Sequence, residues 1–258
     1  MPTVITTFRP ILISLAIFCS CFGPLDPFNP PPDGTDDGGE TPGGGFAAGL
    51  IAWYTCNDSS TTTLSDTLGK YNAQINGCTH DSGVSGGAKG GLRFNGSGDV
   101  VTVKDSVALF GTGDFTVSLW VKPFIVDQIT DSTQYNIISN GVAKERGFTI
   151  SITRNNFSAF VGQSSNESLD TTMSANAGKW RHLVLTRSGI TVRLFVDGKN
   201  PQTFDSESDV STNSQLLIGR DASTRQDWYY SGLVDEIKIF SKAWDASDVS
   251  KEYQRFSH

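Results

Sequence analysis

The stretch GLVDEIKIF, residues 232–240, decides the fold. Some of its apolar residues alternate as they do in a half-buried β-strand: Leu233, Ile237 and Ile239. Asp235 falls in phase with them, on the face that this alternation assigns to the core. The opposite face takes the remaining side chains: Val234, Glu236, Lys238 and Phe240. A carboxylate on a core face is costly unless it is paired, hydrogen-bonded or bound to a metal ion. The stretch therefore predicts a strand in which Asp235 has a specific partner.

Alternation of the same kind recurs along the chain before this stretch. It is clearest in DFTVSLWVKP (114–123), GFTISITR (147–154), FSAFVG (157–162), WRHLVLTRSGITVRLFVDGK (180–199) and SQLLIG (214–219). Turn residues join these strands, with Asn155-Asn156 predicted to close one hairpin and Arg187-Ser188-Gly189 another. No crossover helices separate the strands, so the sequence predicts an all-β protein, a two-sheet antiparallel sandwich or jelly roll.

One helix is predicted, at the C-terminus. DASDVSKEYQRF, residues 245–256, begins with Asp245 as the N-cap and places Asp248 where it can complete a reciprocal cap. Apolar residues recur at helical spacing: Val249, Tyr253 and Phe256. We expect these residues to hold a short helix against the sandwich.

Composition excludes one class of partner. The 258 residues carry a net charge of −7 and a sequence pI of about 4.9. Because no basic stripe is present, nucleic acid is excluded as a partner.

The N-terminus has the pattern of an export signal. Residues 1–21 combine one arginine with the short apolar run Ile11–Phe18, which is too short to span a bilayer as a mature helix. The run ends at Cys19 and Cys21, a pattern that resembles a bacterial lipoprotein signal. Ser20 is the small residue expected before a lipidated cysteine, which favours Cys21 over Cys19; an ordinary signal peptide is the alternative.

A tether and one domain follow this signal. Residues 22–48 are rich in Pro, Gly, Asp and Thr and cannot bury a core. Residues 49–258 are predicted to form a single domain. The sequence thus predicts an exported lipoprotein that faces the periplasm or the cell surface and contacts the membrane only through its lipid anchor. Because such a domain lies in an oxidising compartment, its two cysteines, Cys56 and Cys78, are predicted to form a disulfide.

Five segments in order resemble the laminin G-like jelly-roll domains of the concanavalin A-like lectin/glucanase superfamily. They are GLIAWYTCNDSSTTTLSDTLGKYNAQING, GGLRFNGSGDVVTV, FTVSLWVKP, WRHLVLTRSGITVRLFVDGK and YYSGLVDEIKIFSKAWDASDVSKEY. The resemblance covers residues 49–258. It implies a concanavalin A-like sandwich and a binding function.

The resemblance also implies a structural calcium ion. Asp235 matches the aspartate that helps hold the ion in many relatives, and either Asn57 or Asp58 matches the polar position of the first loop. Carboxylate, amide and backbone oxygens are the ligands that calcium takes. A hydrogen-bonding role for Asp235 alone is the alternative. For Asp66, which matches the acidic start of the family's turn, we expect turn capping rather than metal binding.

Two aromatic residues suggest a ligand site. Trp228 and Tyr229 lie in the polar loop DASTRQDWYY, and an exposed aromatic pair there could stack on sugar rings. The same loop offers hydrogen-bonding side chains: Arg220, Asp221, Arg225 and Asp227. Packing of the two rings over the edge of the sandwich is the alternative.

Catalysis is not expected. Some superfamily relatives hydrolyse glycans with two carboxylates at a fixed separation. The acidic cluster most like such a pair, Asp205, Glu207 and Asp209, lies in a Ser-rich link. The sequence therefore favours a non-catalytic module that binds glycans. The alternatives are a protein-binding adhesion module and, least favoured, a glycoside hydrolase.

Overall fold

The computed structural model describes residues 48–124, 134–199, 201–223 and 228–257. All of these belong to one compact unit, Pro42–His258. The predicted signal peptide, Cys19, Cys21 and all but the last residue of the predicted tether lie outside the described residues. No helix in the described ranges has the length and apolar character needed to cross a bilayer.

The described residues form sixteen strands and one α-helix. The first eight strands are β1 (Leu50–Tyr54), β2 (Thr63–Leu64), β3 (Ala73–Asn76), β4 (Thr79–Asp81), β5 (Gly91–Asn95), β6 (Val100–Val103), β7 (Phe115–Pro123) and β8 (Gln134–Ser139). The others are β9 (Gly147–Thr153), β10 (Asn156–Gly162), β11 (Ser168–Ser174), β12 (Arg181–Ser188), β13 (Thr191–Val196), β14 (Gln202–Asp205), β15 (Leu216–Ile218) and β16 (Ser231–Phe240). A 3-10 helix spans Asp105–Ala108, and α1 spans Ala246–Gln254.

The strands form two sheets, and every strand pairing is antiparallel. The first sheet has the order β14-β13-β12-β7-β16-β5-β4, with β1 also paired to β16. The second sheet has the order β11-β10-β9-β8-β15-β6-β3-β2. The predicted all-β antiparallel sandwich with a short C-terminal helix is therefore confirmed.

The hairpin of β9 and β10 shows how local sequence sets the register. The inward residues of the two strands lie in the main core: Phe148, Ile150, Ile152, Phe157, Ala159 and Val161. Arg154 and Asn155 have φ values of 50° and 63°, as a tight two-residue hairpin turn requires. The turn thus lies one residue earlier than the predicted Asn155-Asn156.

Strand β16 does not have the phase that simple alternation predicts. Asp235 pairs with Trp120 and Lys238 with Ser118, so two residues of β16 lie opposite one residue of β7. This is a β-bulge, and Glu236 within it has a φ of 49°. The core side chains of the strand are consequently Val234, Ile237 and Ile239. Asp235 lies on the outer face with Trp120, not on the core face, because the bulge shifts the alternation by one residue.

Helix α1 packs on the outer face of the first sheet. Asp245 accepts a hydrogen bond from the Asp248 N–H, and Asp248 returns one from the Asp245 N–H, which confirms the predicted cap. A second apolar cluster joins helix and sheet: Val184, Phe195, Phe240, Trp244 and Val249. The ring of Tyr253 stacks on Trp120 with centroids 5.7 Å apart, and Phe256 meets the same ring edge-on.

A network of buried charged side chains connects the C-terminal part of α1 to the first sheet. Lys238 Nζ lies 3.2 Å from Glu236 Oε2 and bonds to Glu252 Oε1, and all three side chains are buried. Trp53 Nε1 donates to Glu236 Oε2 at 2.8 Å, and its ring lies 4.5 Å below the ammonium group. The network links β1, β16 and α1 through one lysine.

The predicted disulfide is wrong. Cys56 and Cys78 are free, buried thiols. Burial raises the pKa of Cys78 to about 12 and raises that of Cys56 far above its usual range. Asp235 is a charged neighbour of Cys56, whereas Asp99 is the one beside Cys78. Both thiols belong to the main hydrophobic core, where free cysteines are commonly buried, and each has different charged neighbours.

Candidate functional site

The partner of Asp235 is backbone, not a second side chain. Its carboxylate is 2% exposed and accepts hydrogen bonds from Val84 N–H at 2.8 Å and from Glu236 N–H at 2.7 Å. Burial raises the pKa of Asp235 to about 8, and the neighbouring Glu236 charge adds to that rise. The backbone hydrogen bonds and Lys238 oppose it. A cation would favour the charged carboxylate where burial disfavours it.

Two glycines bring Asn57 and Asp235 to the same place. A Cβ added at Gly83 would lie 2.7 Å from Asp235 Oδ2 and 2.4 Å from the Gly90 carbonyl oxygen. A Cβ added at Gly90 would lie 2.9 Å from Asn57 Oδ1. This close approach requires glycine at both positions. It places a carboxylate oxygen, an amide oxygen and a backbone carbonyl oxygen near one another. This oxygen set fits the chemistry of calcium.

Asp58 faces a different loop. Its Oδ2 accepts a hydrogen bond from the Ser65 N–H at 2.8 Å, and its Oδ1 lies 3.7 Å from His80 Nε2. Of the two alternatives for the first-loop ligand, Asn57 therefore has the better position. The described residues contain no group of three or more His, Cys, Asp or Glu side chains that could hold a metal. Any calcium site here would consist largely of neutral oxygens.

Trp228 and Tyr229 are half-buried and lie beside β8 of the second sheet. Arg220 Nη1 donates to the Tyr229 hydroxyl at 2.7 Å, and its guanidinium lies 5.0 Å from the Tyr229 ring centroid. Asp221 is buried and accepts from the Ala143 N–H, so it supports a loop. The other two predicted members of this site, Arg225 and Asp227, lie outside the described residues.

Sequence reasoning missed Asn136 of β8, which lies directly beside this aromatic pair. Its N–H donates to the Trp228 carbonyl at 3.1 Å, and its main chain forms a bridge with Tyr229. Gln134 Nε2 donates to Asn136 Oδ1 at 2.6 Å. The amide nitrogen Nδ2 of Asn136 is buried and has no hydrogen-bond partner among the described residues. Such an amide in a native structure points to a missing partner.

Two hydroxyl groups, one on β9 and one on β10, are also buried and unsatisfied. Thr153 Oγ1 and Ser158 Oγ are buried without a hydrogen-bond partner. The alternation of GFTISITR and FSAFVG marks both residues as outward-facing, and they are nevertheless at most 5% exposed. The sequence did contain a signal, because polar residues alternate along these buried strands. The alternation alone, however, predicts that the polar face of the strands is exposed to solvent.

A serine–histidine pair lies under α1 and is structural. Ser118 Oγ is 2.9 Å from His182 Nε2, within reach for a nucleophile and its base. His182 Nδ1 has no hydrogen-bond partner, so no carboxylate orients the ring. Burial and the charge of Lys238 lower the pKa of His182 to about 3. The ring is completely buried and stacks on Trp120, so His182 packs beneath α1.

The acidic cluster of the Ser-rich link is exposed. Three carboxylates lie at the surface there: Asp205, Glu207 and Asp209.

Comparison with known proteins identifies the type of fold. A laminin G-type family model, described as the concanavalin A-like lectin/glucanases superfamily, matches residues 95–250, more than half of the chain. No curated protein matches the chain. The binding domain of Paraclostridial mosquitocidal protein 1 is similar in structure, with a TM-score of 0.66 and 16% identity over 81% of this chain and 52% of that chain.

Two further solved structures have the same fold. The binding domain of botulinum neurotoxin serotype D has a TM-score of 0.58 and 20% identity over 80% of this chain and 52% of that chain. A sialidase of Trypanosoma rangeli has a TM-score of 0.58 and 17% identity over 80% of this chain and 32% of that chain. The chain thus spans about half the length of the toxin domains and a third of the sialidase. At such identities the likeness shows the fold alone.

Proposed function

The chain belongs to the concanavalin A-like lectin/glucanases superfamily, and on that premise we propose that it is a non-catalytic module that binds glycans. The N-terminal signal and tether predicted from the sequence would present this module at a membrane surface. The binding site lies where Trp228 and Tyr229 meet β8.

The buried Nδ2 of Asn136 is the observation that carries this proposal. Burying an amide donor without a partner costs about 1–3 kcal/mol, and a ligand hydroxyl that displaced the cover of this completely buried side chain would remove that cost. Tyr229 is held in place by Arg220, so its ring is already ordered before any ligand arrives. An ordered aromatic ring beside an unsatisfied amide suits a sugar, which has apolar ring faces and many hydroxyls.

Catalysis has little support in the described residues. The carboxylates around Asp205 are exposed, and the carboxylates of Glu236 and Glu252 form ion pairs with Lys238. A protein-binding module remains the alternative, and it predicts a contiguous apolar surface. The large apolar side chains that the described residues expose are Leu68, Leu109 and Ile190, each in a different connection between strands.

The test of glycan binding is retention of the full chain on immobilised polysaccharides. We expect Trp228→Ala to weaken retention by about tenfold, because the variant loses one aromatic wall. Trp180→Ala is the matched control, since Trp180 is also half-buried but precedes β12. Equal retention by both variants would place the site elsewhere, and a folded chain that no glycan retains would favour a protein partner.

We also propose that Asp235 and Asn57 help hold a structural calcium ion, together with the Gly90 carbonyl. The ion would keep the Asp235 carboxylate charged. Support comes from the buried carboxylate with a raised pKa and from the oxygen set around Gly83 and Gly90.

Without calcium, Asp235 makes stability depend on pH. Its pKa rises from 3.8 to about 8 on folding, so its contribution is complete below pH 4 and is lost as the pH rises to about 8. Asp235→Asn removes this loss. The free energy of unfolding of the variant minus that of the wild type should therefore increase between pH 5 and pH 8, by up to about 1.4 kcal/mol per pH unit. Urea unfolding in chelator at several pH values measures it.

At pH 8, calcium should lower the free energy of unfolding of Asp235→Asn relative to that of the wild type. The ion should stabilise the wild type and leave Asp235→Asn unchanged, because binding to the folded state alone raises stability. Magnesium serves as a control ion, since it demands a stricter geometry. Equal stabilisation of both proteins, or of neither, would contradict the calcium proposal.

A further inference from the structure

One arginine lies beside Tyr229 at the proposed glycan site. Arg220 follows β15 and is half-buried, like Tyr229 itself. Its Nη1 donates to the Tyr229 hydroxyl at 2.7 Å, and its guanidinium lies 5.0 Å from the centroid of the Tyr229 ring. A positive charge therefore lies at the side chain on which a sugar would pack.

The charge of Arg220 is paired with no carboxylate of the described residues. Its guanidinium donates to three uncharged oxygens: the Asp221 carbonyl at 2.8 Å, the Ser223 carbonyl and the Tyr229 hydroxyl. The carboxylate of Asp221 is engaged elsewhere, since Oδ2 accepts from the Ala143 N–H at 3.0 Å and Oδ1 from the Ser223 N–H at 3.1 Å. An arginine in this condition favours an anionic ligand group, with which it forms charge-assisted hydrogen bonds.

The hydrogen-bonding groups that stay available beside the ring are donors. A guanidinium has more N–H groups than the three bonds of Arg220 use. The Tyr229 hydroxyl accepts from Arg220, and its own proton is donated to no described atom. The nearby acceptors are in use, because Asn136 Oδ1 accepts from Gln134 and the Trp228 carbonyl accepts from the Asn136 N–H. A carboxylate or sulfate, which only accepts hydrogen bonds, fits this set better than a hydroxyl does.

Accessibility distinguishes Arg220 from an arginine that only holds loops together. Arg187 is an arginine of that structural kind: it is fully buried and donates to three backbone carbonyls. No ligand can reach its guanidinium. Arg220 also bonds to loop carbonyls, but it is half-buried, which leaves part of the side chain open to a ligand.

We propose that the glycan bound at Tyr229 is acidic, and that Arg220 pairs with its carboxylate or sulfate group. This inference rests on the proposed function, because it names the class of sugar that the same site takes. The anionic group also accepts from the Tyr229 hydroxyl, and the adjoining sugar ring packs on the Tyr229 side chain. The chain carries a net charge of −7 and repels acidic polymers elsewhere, so this local cation is what makes the site selective.

The experiment compares polymers that differ chiefly in charge. Polygalacturonate and its methyl ester share one backbone and present a carboxylate and a neutral ester, and dextran sulfate and dextran form the second pair. The affinity of the full chain is measured for all four at low salt. We expect the acidic member of at least one pair to bind about tenfold or more tightly than the neutral one, because a charge-assisted pair forms only with the former. Added salt should weaken only the acidic complexes.

Three variants test the roles of the two side chains. Arg220→Gln should lose about tenfold or more in affinity for the acidic polymer and abolish its advantage over the neutral one. Arg220→Lys keeps the charge, so it should retain part of this preference. Tyr229→Phe keeps the ring and removes the hydroxyl donor, so it should weaken acidic binding by about 3- to 10-fold. Arg154→Gln is the control, because Arg154 is an exposed arginine of the same sheet, in the turn between β9 and β10.

The outcomes separate this inference from the proposed function. Equal affinity for the acidic and neutral members of both pairs, or a preference that survives Arg220→Gln, would overturn the inference. Equal losses in Arg220→Lys and Arg220→Gln would also overturn it, because Arg220 would then only hold the loop. In each case, retention that depends on Trp228 would leave the proposed function in place. Binding of polygalacturonate or of dextran sulfate that depends on Arg220 would support the inference and identify the anionic group. A folded chain that binds none of these polymers, and none of the immobilised polysaccharides above, would refute both.

Discussion

Asp66→Ala is expected to lower the free energy of unfolding by about 4 kcal/mol, because one carboxylate satisfies four backbone N–H groups. Asp66 is 4% exposed. Its Oδ1 accepts from Trp53 at 3.0 Å and from Leu68 at 3.2 Å, and its Oδ2 accepts from Lys70 at 3.1 Å and from Tyr71 at 3.0 Å. The variant leaves these donors with no acceptor, and it removes the hydrogen bond that connects the turn before β3 to β1. Turn capping, the role expected from the sequence, is what the structure shows.

Urea unfolding at neutral pH measures this effect, and Asp81→Ala is the matched control. Asp81 also accepts a backbone N–H, from Ser82 at 2.7 Å, and it pairs with Arg93 at the surface. An exposed pair of this kind contributes about 0–1 kcal/mol. Thermal unfolding should follow the same order, at roughly 2–4 °C per kcal/mol for a domain of this size. If Asp66→Ala costs no more than the control, the four hydrogen bonds do not hold the turn.

Lys238→Met is expected to cost about 3 kcal/mol or more, because it removes the cation from between two buried carboxylates. Lys238 Nζ contacts Glu236 and Glu252, which are 4% and 1% exposed. Methionine keeps much of the volume, so the loss is chiefly electrostatic. Glu252 lies on α1, and the variant should therefore also increase hydrogen exchange in the last turns of that helix.

A double variant tests whether the charges act as one network. Lys238→Met combined with Glu252→Gln should recover about 1–3 kcal/mol relative to the sum of the two single changes, because the second change removes a buried carboxylate that has lost Lys238 and keeps only the partly exposed Arg255 as a cation. Lys242→Met is the control, since Lys242 is exposed and should change stability by about 0.5 kcal/mol or less. Additive costs in the double variant would show that Lys238 and Glu252 do not act together.

Local features of this protein were predictable from its sequence. The hairpin of β9 and β10 and the capped helix after Asp245 depend on residues that are neighbours in the chain. The turn-capping aspartate, Asp66, is also a local feature, since three of its four donors follow it within five residues. Alternating apolar residues predicted the sandwich, because burying one face of each strand leaves few architectures open.

Tertiary structure alone decided the details of the sites. The bulge at Glu236 moved Asp235 to the outer face, and alternation within GLVDEIKIF gives no sign of it, since a bulge is set by pairing with β7 and β1. Packing left Cys56 and Cys78 as free, buried thiols, which sequence reasoning about an oxidising compartment could not detect.

The same is true of the candidate glycan site. Asn136 meets Tyr229 only because distant strands and loops converge in the folded chain. Sequence alone determined the strands, the helix and the local turns, because short-range hydrogen bonds and the periodicity of apolar residues specify them. Which polar groups end up buried together depended on register, bulges and loop packing, and these arise from long-range contacts that no local pattern encodes.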